Sequence, residues 1–328
     1  MAALPFDTER REVYTADELF AGFDPARAAS FGETLDFRSF QWFIATGRGN
    51  PVDVGDAVAR ATHDAHLTFD LGAVITDRRV VGVMGGHELP RTSADYARVA
   101  ELARDLAQRG MLVCTGGGPG AMEAAHLGAG LARQPDSTLR DTISALAFAP
   151  LMPELHGILD SHGTPDPALV EAAGEWFAPA WVASHAIVDP VETLSIPTWL
   201  YGHEPTNPFA TRIAKLFQNS IREDGLITIA RQGLVFTRGS AGTLQEVFQD
   251  AQQNFYAMHP DFFSPMVFLD RDYWTRAMPV TRLLDALFAT APTGVRHTAQ
   301  RMVLVTDDIA EAAEHLDRFH ATPSRLAR

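Results

Sequence analysis

The 328-residue sequence contains one cysteine, Cys114, and one lysine, Lys215. A single cysteine cannot form an intrachain disulfide, so the fold does not need an oxidising compartment. We expect Cys114 to be a buried, apolar side chain within a strand rather than a nucleophile. Lys215 lies in no motif that would support a Schiff base with pyridoxal phosphate. The sequence therefore argues against thiol catalysis and against a pyridoxal phosphate enzyme.

Long apolar runs are also missing: none reaches the roughly 18 residues of a membrane-spanning helix. Residues 1–10 lack the basic and apolar regions of a signal peptide. We therefore expect a cytoplasmic protein that does not bind membranes. The chain has 27 basic and 41 acidic residues, a net charge of −14. This balance argues against a general nucleic-acid binder, which carries a basic face, but local arginines or a helix N-terminus can still hold a phosphate.

No metal-binding motif is present. The twelve histidines include no H-E-x-x-H sequence. We expect neither a metal nor a cofactor. The composition, 46% hydrophobic and 21% charged, is ordinary for a globular protein.

From residue 71 onward, short apolar runs alternate with amphipathic stretches. This alternation predicts an α/β domain at residues 71–320, with a doubly wound, mostly parallel, Rossmann-like sheet. Residues 1–70 are predicted to be an N-terminal helical extension, with helices starting near Thr15 and at residues 53–66. Residues 150–190 are expected to be an insertion or lid, and residues 321–328 a frayed tail.

The individual elements follow from periodicity and turn residues. Strands are predicted at residues 80–85, 111–115, 142–148, 193–200, 233–237, 265–269 and 302–306. Helices are predicted at residues 94–108 with Ser93 as the cap, 121–132, 167–177, 208–230, 242–258, 273–288 and 308–319.

Two glycine-rich loops each join a predicted strand to a predicted helix. The first glycine loop, residues 115–124, reads TGGGPGAMEA, and the second, residues 238–246, reads RGSAGTLQE. Glycines let a backbone approach a ligand closely, and a helix N-terminus offers free N–H groups to an anion. The chain has no Walker A sequence, and Glu123 stands where a dinucleotide fingerprint needs a small residue. Both loops are expected at the carboxyl edge of the sheet.

Together the two loops resemble the LOG-like family of nucleotide 5′-monophosphate phosphoribohydrolases, once mislabelled as lysine decarboxylases. The family sequences are GGGPGxMEA, complete here at residues 116–124, and PGGxGTxxE, matched at Gly239, Gly242, Thr243 and Glu246. Arg238 replaces the proline and Ser240 replaces the second glycine. The flanks, including Asn207-Pro208, are similar to the bacterial purine/pyrimidine nucleotide nucleosidase branch. The resemblance covers roughly residues 70–320.

The resemblance implies hydrolysis of the N-glycosidic bond of nucleoside 5′-monophosphates to free base and ribose 5-phosphate. Glu246 maps onto the family's catalytic glutamate, and Arg222, within one residue of the expected place, onto its catalytic arginine. The substrate and its phosphate are expected to contact both loops, at Gly117, Gly118, Gly120, Met122, Glu123, Arg238, Gly239, Ser240, Ala241, Gly242 and Thr243. Family members usually form dimers, so we expect a homodimer or a larger homo-oligomer.

A different class of function stays open. Carrier proteins for the molybdenum cofactor and nucleotide-binding sensors are similar in fold and loops, and Arg238 and Ser240 favour such a non-catalytic role. The retained carboxylates and Thr243 favour the enzyme. Base preference is not determined by the motifs. Trp176, Phe177, Trp181 and Trp199 could either stack on a base or pack in the core.

Overall fold

The computed structural model describes residues 4–256 and 263–319. Its strands form a seven-stranded sheet in the order β4-β3-β2-β1-β5-β6-β7. They are β1 Val80–Met84, β2 Leu112–Thr115, β3 Leu194–Ser195, β4 Arg212–Ile213, β5 Gly233–Phe236, β6 Met266–Leu269 and β7 Val303–Thr306. All neighbouring strands pair in parallel. The predicted doubly wound α/β fold is confirmed.

The α-helices of the described ranges are α1 Ala16–Leu19, α2 Leu35–Ala45, α3 Val54–Ile75, α4 Ala94–Gln108, α5 Ala121–Gly130, α6 Asp136–Leu146, α7 Pro167–Ala186, α8 Asn219–Ile229, α9 Ala241–Phe255, α10 Val280–Ala289, α11 Thr293–Met302 and α12 Ile309–Asp317. Short 3-10 turns occur at Ala28–Glu33 and Trp199–Tyr201. Within those ranges, none of the helices has both the length and the apolar character needed to cross a membrane.

Successive strand residues point to opposite faces of the sheet, and helices cover both faces. Val81 and Val113 pack with α4, α5 and α12, whereas Val80 and Phe236 pack with α8, α9 and α10. The chain leaves β1 toward β4, then returns to form β5 on the other side of β1. The winding direction therefore reverses between β1 and β5, which is where open α/β sheets bind ligands.

The predicted cap Ser93 and the predicted helix starts near Thr15 and residue 53 are observed. Thr15 caps α1, Asp53 caps α3 and Ser93 caps α4, each accepting a backbone N–H of the first turn. Cys114 is fully buried in β2, as expected. The short helix α2 has no counterpart in the sequence predictions.

The predicted strand at residues 142–148 is wrong, because these residues belong to the end of α6 and the turn after it. Leu139, Ile143 and Leu146 are spaced by four and three residues, which places them on one helical face. Leu139 and Leu146 are buried in the core. The apolar residues that predicted a strand therefore form the buried face of the amphipathic helix α6.

The first half of the helix predicted at residues 208–230 is also wrong. Arg212 pairs with Leu194 in β4, and α8 begins only at Asn219. Arg212 and Lys215 therefore do not lie on the helix, whereas Arg222 does. The strand predicted at residues 193–200 is only two residues long, because Pro197 has no N–H to continue the ladder.

Two further predicted helices differ from the observed ones near proline residues. The helix predicted at residues 167–177 continues through Pro179 to Ala186. The helix predicted at residues 273–288 is divided at Pro279 into a π-helical turn, Tyr273–Ala277, and α10. The helix predicted to end at residue 258 is described as far as Phe255, and the predicted tail at residues 321–328 lies outside the described residues.

Candidate functional site

The loops after β1, β2 and β5 meet at the carboxyl edge of the sheet. The N–H of Gly86, in the loop after β1, donates to the carbonyl of Arg238 at 2.9 Å. The carbonyl of Gly86 accepts the N–H of Ala121, the first residue of α5, at 3.1 Å. The two glycine loops are thus held on either side of the same central segment, at the reversal point of the sheet.

Arg222 on α8 and Glu246 on α9 lie next to each other. The Arg222 Nη1 and Glu246 Oε1 atoms are 4.0 Å apart, and the side chains are 11% and 15% exposed. Burial raises the pKa of Glu246 to about 7, while the charge of Arg222 opposes this rise. The structure therefore brings together a cation and a carboxyl group that changes charge close to neutral pH.

Arg222 is held against the first glycine loop. Its Nε donates to the carbonyl of Ile196 at 3.0 Å, just beyond β3. Its guanidinium lies over Gly116, where an added Cβ atom would overlap the Nη2 atom. Glycine at residue 116 therefore makes room for the arginine as well as for the turn of the chain.

The amides of the first glycine loop are engaged within the protein. The N–H of Gly117 donates to Thr115 Oγ1 at 2.8 Å, and the N–H of Gly118 contacts Met122 Sδ at 3.4 Å. Asn207 Nδ2 donates to the carbonyl of Gly117 at 2.9 Å. Gly120 precedes α5 and borders the adjacent cavity. The N–H groups of Gly117 and Gly118 are therefore already bound within the protein.

The second glycine loop presents an open helix N-terminus. Ser240 is the N-cap of α9 but makes no side-chain capping hydrogen bond, and Ser240, Ala241 and Gly242 are exposed. The buried Thr243 packs its hydroxyl so closely on Gly239 that a Cβ there would overlap it. The first N–H groups of a helix are unpaired within the helix and attract anions. This end of α9 is therefore suited to a phosphate.

Arg238 extends away from the second glycine loop. Its guanidinium hydrogen-bonds Asp270, at the end of β6, and lies 3.8 Å from Asp95. The side chain is 56% exposed. Arg238 therefore connects the end of β5 with the end of β6 at the surface.

Glu123 is fully buried in a closed network. Its carboxylate accepts two hydrogen bonds from Arg91, at 2.8 and 2.7 Å, and one from Tyr96 Oη at 2.8 Å. Arg91 also donates to the carbonyl of Trp176 at 3.1 Å. No described contact joins Glu123 to Glu246. The structure thus does not bring the two predicted carboxylates together, and Glu123 braces α4, α5 and α7.

A cavity of about 570 Å³ lies beside the first glycine loop. It is lined by the loop after β1, by residues 150–156 and by the turn after β3, and its polar lining includes His87, His156, His203 and Glu204. The sequence predictions missed these residues, because lone histidines in loops carry no motif. The one available signal was that residues 86–91 follow the first strand of an α/β sheet.

Comparison with known families bears on part of this site. Residues 78–134 match the model of the SLOG cluster4 family. The matched segment runs from just before β1 to just after α5 and includes the first glycine loop. No curated protein is significantly similar to the chain. The match supports a SLOG-type, Rossmann-like superfamily and indicates nucleotide-related binding or processing.

Proposed function

We propose that the protein hydrolyses the N-glycosidic bond of nucleoside 5′-monophosphates, releasing free base and ribose 5-phosphate. The observation that carries this proposal is the pair of Arg222 and Glu246, 4.0 Å apart and largely buried at the carboxyl edge of the sheet. The open N-terminus of α9, one turn before Glu246, supports it. The family resemblance of the two glycine loops supports the same reaction.

The chemistry needs a negative group near the ribose and a positive site for the phosphate. N-glycosidic cleavage passes through an oxocarbenium-like state, which a carboxylate stabilises. Ionised Glu246 takes the proton from the attacking water as the water oxygen bonds C1′. The bond from C1′ to the base breaks, and its electron pair leaves with the base. Arg222 and the first N–H groups of α9 hold the 5′-phosphate.

A nucleotide panel tests this proposal. Purified protein is incubated with purine and pyrimidine nucleoside 5′-monophosphates, and free base and ribose 5-phosphate are measured by chromatography. We expect stoichiometric release of both products by the wild type. Loss of one positioned acid–base group lowers rates by about 10²–10⁴-fold, so we expect that loss in Glu246→Gln. The control variant Glu101→Gln, at an exposed position on α4, should keep full activity.

A second candidate is non-catalytic binding of a nucleotide or of a molybdenum cofactor. It is favoured by the closed network around Glu123, in which Arg91 and Tyr96 already engage this carboxylate. Saturable binding of a monophosphate with no base release after prolonged incubation would replace the hydrolase proposal with this one.

The resemblance also leads us to propose a homodimer as the assembled form. Analytical ultracentrifugation at micromolar concentration tests it. Sedimentation as a single species at the monomer mass of 35.8 kDa would refute a dimer.

A further inference from the structure

Glu204 is a poorly solvated carboxyl group without a hydrogen-bond partner in the described part of the chain. Its side chain is 17% exposed and faces the cavity beside the first glycine loop. His87 Nδ1 lies 3.7 Å and His203 Nε2 lies 3.9 Å from its Oε1 atom. These distances exceed those of hydrogen bonds. The Glu204 carboxyl group therefore faces the cavity and can pair with a polar group that enters it.

The cavity begins where the proposed ribose site ends. Arg222 lies over Gly116, and Glu204 Oε2 lies 3.6 Å from the Cβ position of Gly118, two residues further along the same loop. The Met122 side chain packs along both glycines, with its Sδ atom 3.1 Å from the Cβ position of Gly116 and its Cε atom 2.8 Å from that of Gly118. A nucleotide with its ribose beside Arg222 and Glu246 would therefore direct its base along the loop toward Glu204.

The Trp176 side chain also lines this cavity and is largely buried. Purine bases carry the ring nitrogen N7 in addition to the nitrogen of the glycosidic bond, and N7 can accept a proton from a carboxyl group in the cavity. The cavity volume, about 570 Å³, lies within the range of small-molecule sites.

We propose that this cavity is the nucleobase subsite, that it takes purines, and that the Glu204 carboxyl group protonates N7 of the departing base. This inference rests on the proposed hydrolase function. As the bond between C1′ and N9 breaks, its electron pair moves into the purine ring and the Glu204 proton bonds N7. The base leaves neutral, water oxygen bonds C1′, and Glu246 holds the proton of that water. Exchange with solvent moves this proton from Glu246 and returns one to Glu204.

The electrostatic surroundings agree with this role. Burial raises the pKa of Glu204, and Glu88 raises it further, while His87, Arg222 and His156 oppose the rise. Burial and the neighbouring cations lower the pKa of His203 to about 4. His203 is therefore neutral at physiological pH and does not compete as a cation for the Glu204 carboxylate.

A change of leaving group tests the inference. Adenosine, guanosine and inosine 5′-monophosphates need protonation of the base, whereas 4-nitrophenyl ribofuranoside 5-phosphate releases a stable nitrophenolate without it. We expect Glu204→Gln to lower kcat about 10²-fold or more with the purine nucleotides, the size of a general-acid effect. Its kcat with the nitrophenyl substrate should change less than about threefold. Glu101→Gln serves as the control with both substrates.

The other outcomes would overturn the role of Glu204, the purine subsite or the proposed function itself. If Glu204→Gln lowers kcat equally with both substrates, the role of Glu204 is structural. If it lowers kcat with neither substrate, Glu204 has no role in the reaction. Either result overturns the assignment of Glu204 and leaves the proposed hydrolase function standing. A wild type that cleaves only pyrimidine nucleotides overturns the purine subsite. A wild type that cleaves neither the nucleotides nor the nitrophenyl substrate overturns the proposed function, and this inference with it.

Discussion

The carboxylate of Asp64, on α3, accepts the backbone N–H groups of Phe217 and Gln218 at 3.0 and 2.8 Å. These two residues immediately precede α8, the helix that carries Arg222. His63 Nδ1 lies 2.9 Å from the same carboxylate. A buried carboxylate from the N-terminal part of the chain therefore fixes the start of the helix that supplies the proposed catalytic cation.

We predict that Asp64→Ala destabilises the protein and impairs turnover. The variant leaves buried backbone N–H groups unpaired, at a cost of about 1–3 kcal/mol for each group. The free energy of unfolding, measured in urea, should fall by about 2–6 kcal/mol. Because α8 loses its anchor, kcat should fall under conditions in which the variant stays folded. Asp285→Ala, at an exposed position on α10, is the matched control and should alter neither quantity.

Activity should depend on the ionisation of Glu246. Its pKa is raised to about 7, so the carboxylate that accepts the water proton is the minor form at pH 5.5 and the major form at pH 8. The kcat/KM of nucleotide cleavage should therefore rise as the pH is raised from about 5 toward 7. A Glu246→Asp variant should retain a rising limb, whereas Glu246→Gln should retain none. A wild-type profile that is flat from pH 5 to 8 would contradict this assignment.

The pH dependence of the free energy of unfolding should reflect the ionisation of Asp250. This residue is buried, Ser264 Oγ donates to its Oδ1 at 2.7 Å, and its Oδ2 has no partner among the described residues. Burial raises its pKa from 3.8 to about 8. Between about pH 4 and pH 8 the folded state therefore holds a proton on Asp250 that the unfolded state has lost. The contribution of this group to the free energy of unfolding is complete below about pH 4 and is lost as the pH rises to about 8.

Replacing Asp250 with asparagine isolates this effect. Urea unfolding at pH 5 and pH 8 should show the wild type losing more stability between the two values than Asp250→Asn. Glu246 titrates in an overlapping range, so the comparison is made in the Glu246→Gln background. Equal slopes with and without Asp250 would show that the carboxyl group is ionised in the folded protein throughout.

Much of the site could be predicted because its parts are local in sequence. Glu246 follows a glycine loop at a fixed spacing, and Arg222 lies on the predicted helix before the same strand. The partners of Glu123 could not be predicted in this way, since Arg91 and Tyr96 come from the loop after β1 and from α4. Their meeting depends on how α4 packs on α5, for which no short motif exists.

The strands also divide into those that the sequence predicts and those that it does not. The central strands β1, β2, β5 and β6 are largely apolar runs, as expected for a parallel sheet covered on both faces, and the edge strand β7 has the same composition. The strands β3 and β4 have only two residues each, which is too short for periodicity to give a signal. The apolar stripe of α6, at residues 139, 143 and 146, is short enough to resemble a strand when its flanks are ignored.

Gly116→Ala should impair catalysis by displacing Arg222. An added Cβ overlaps the guanidinium, which is tied to the Ile196 carbonyl and cannot move without losing that hydrogen bond. Misplacement of a catalytic group by about 1 Å can cost 10²-fold, so we expect a fall in kcat/KM of that order. The control is Gly225→Ala on α8, the helix that carries Arg222, because an added Cβ at residue 225 meets no neighbour within 4 Å. It should raise stability by about 0.5–1 kcal/mol and keep activity.

Arg238→Ala should have little effect, although Arg238 occupies the most unusual position of the second glycine loop. Its side chain is 56% exposed and its guanidinium is bound to Asp270, and exposed ion pairs contribute about 0–1 kcal/mol. We therefore expect a loss of less than about 1 kcal/mol in unfolding free energy and a change of less than about threefold in kcat/KM. A large rise in KM for nucleotides, with unchanged stability, would instead show that the side chain leaves Asp270 to contact the phosphate.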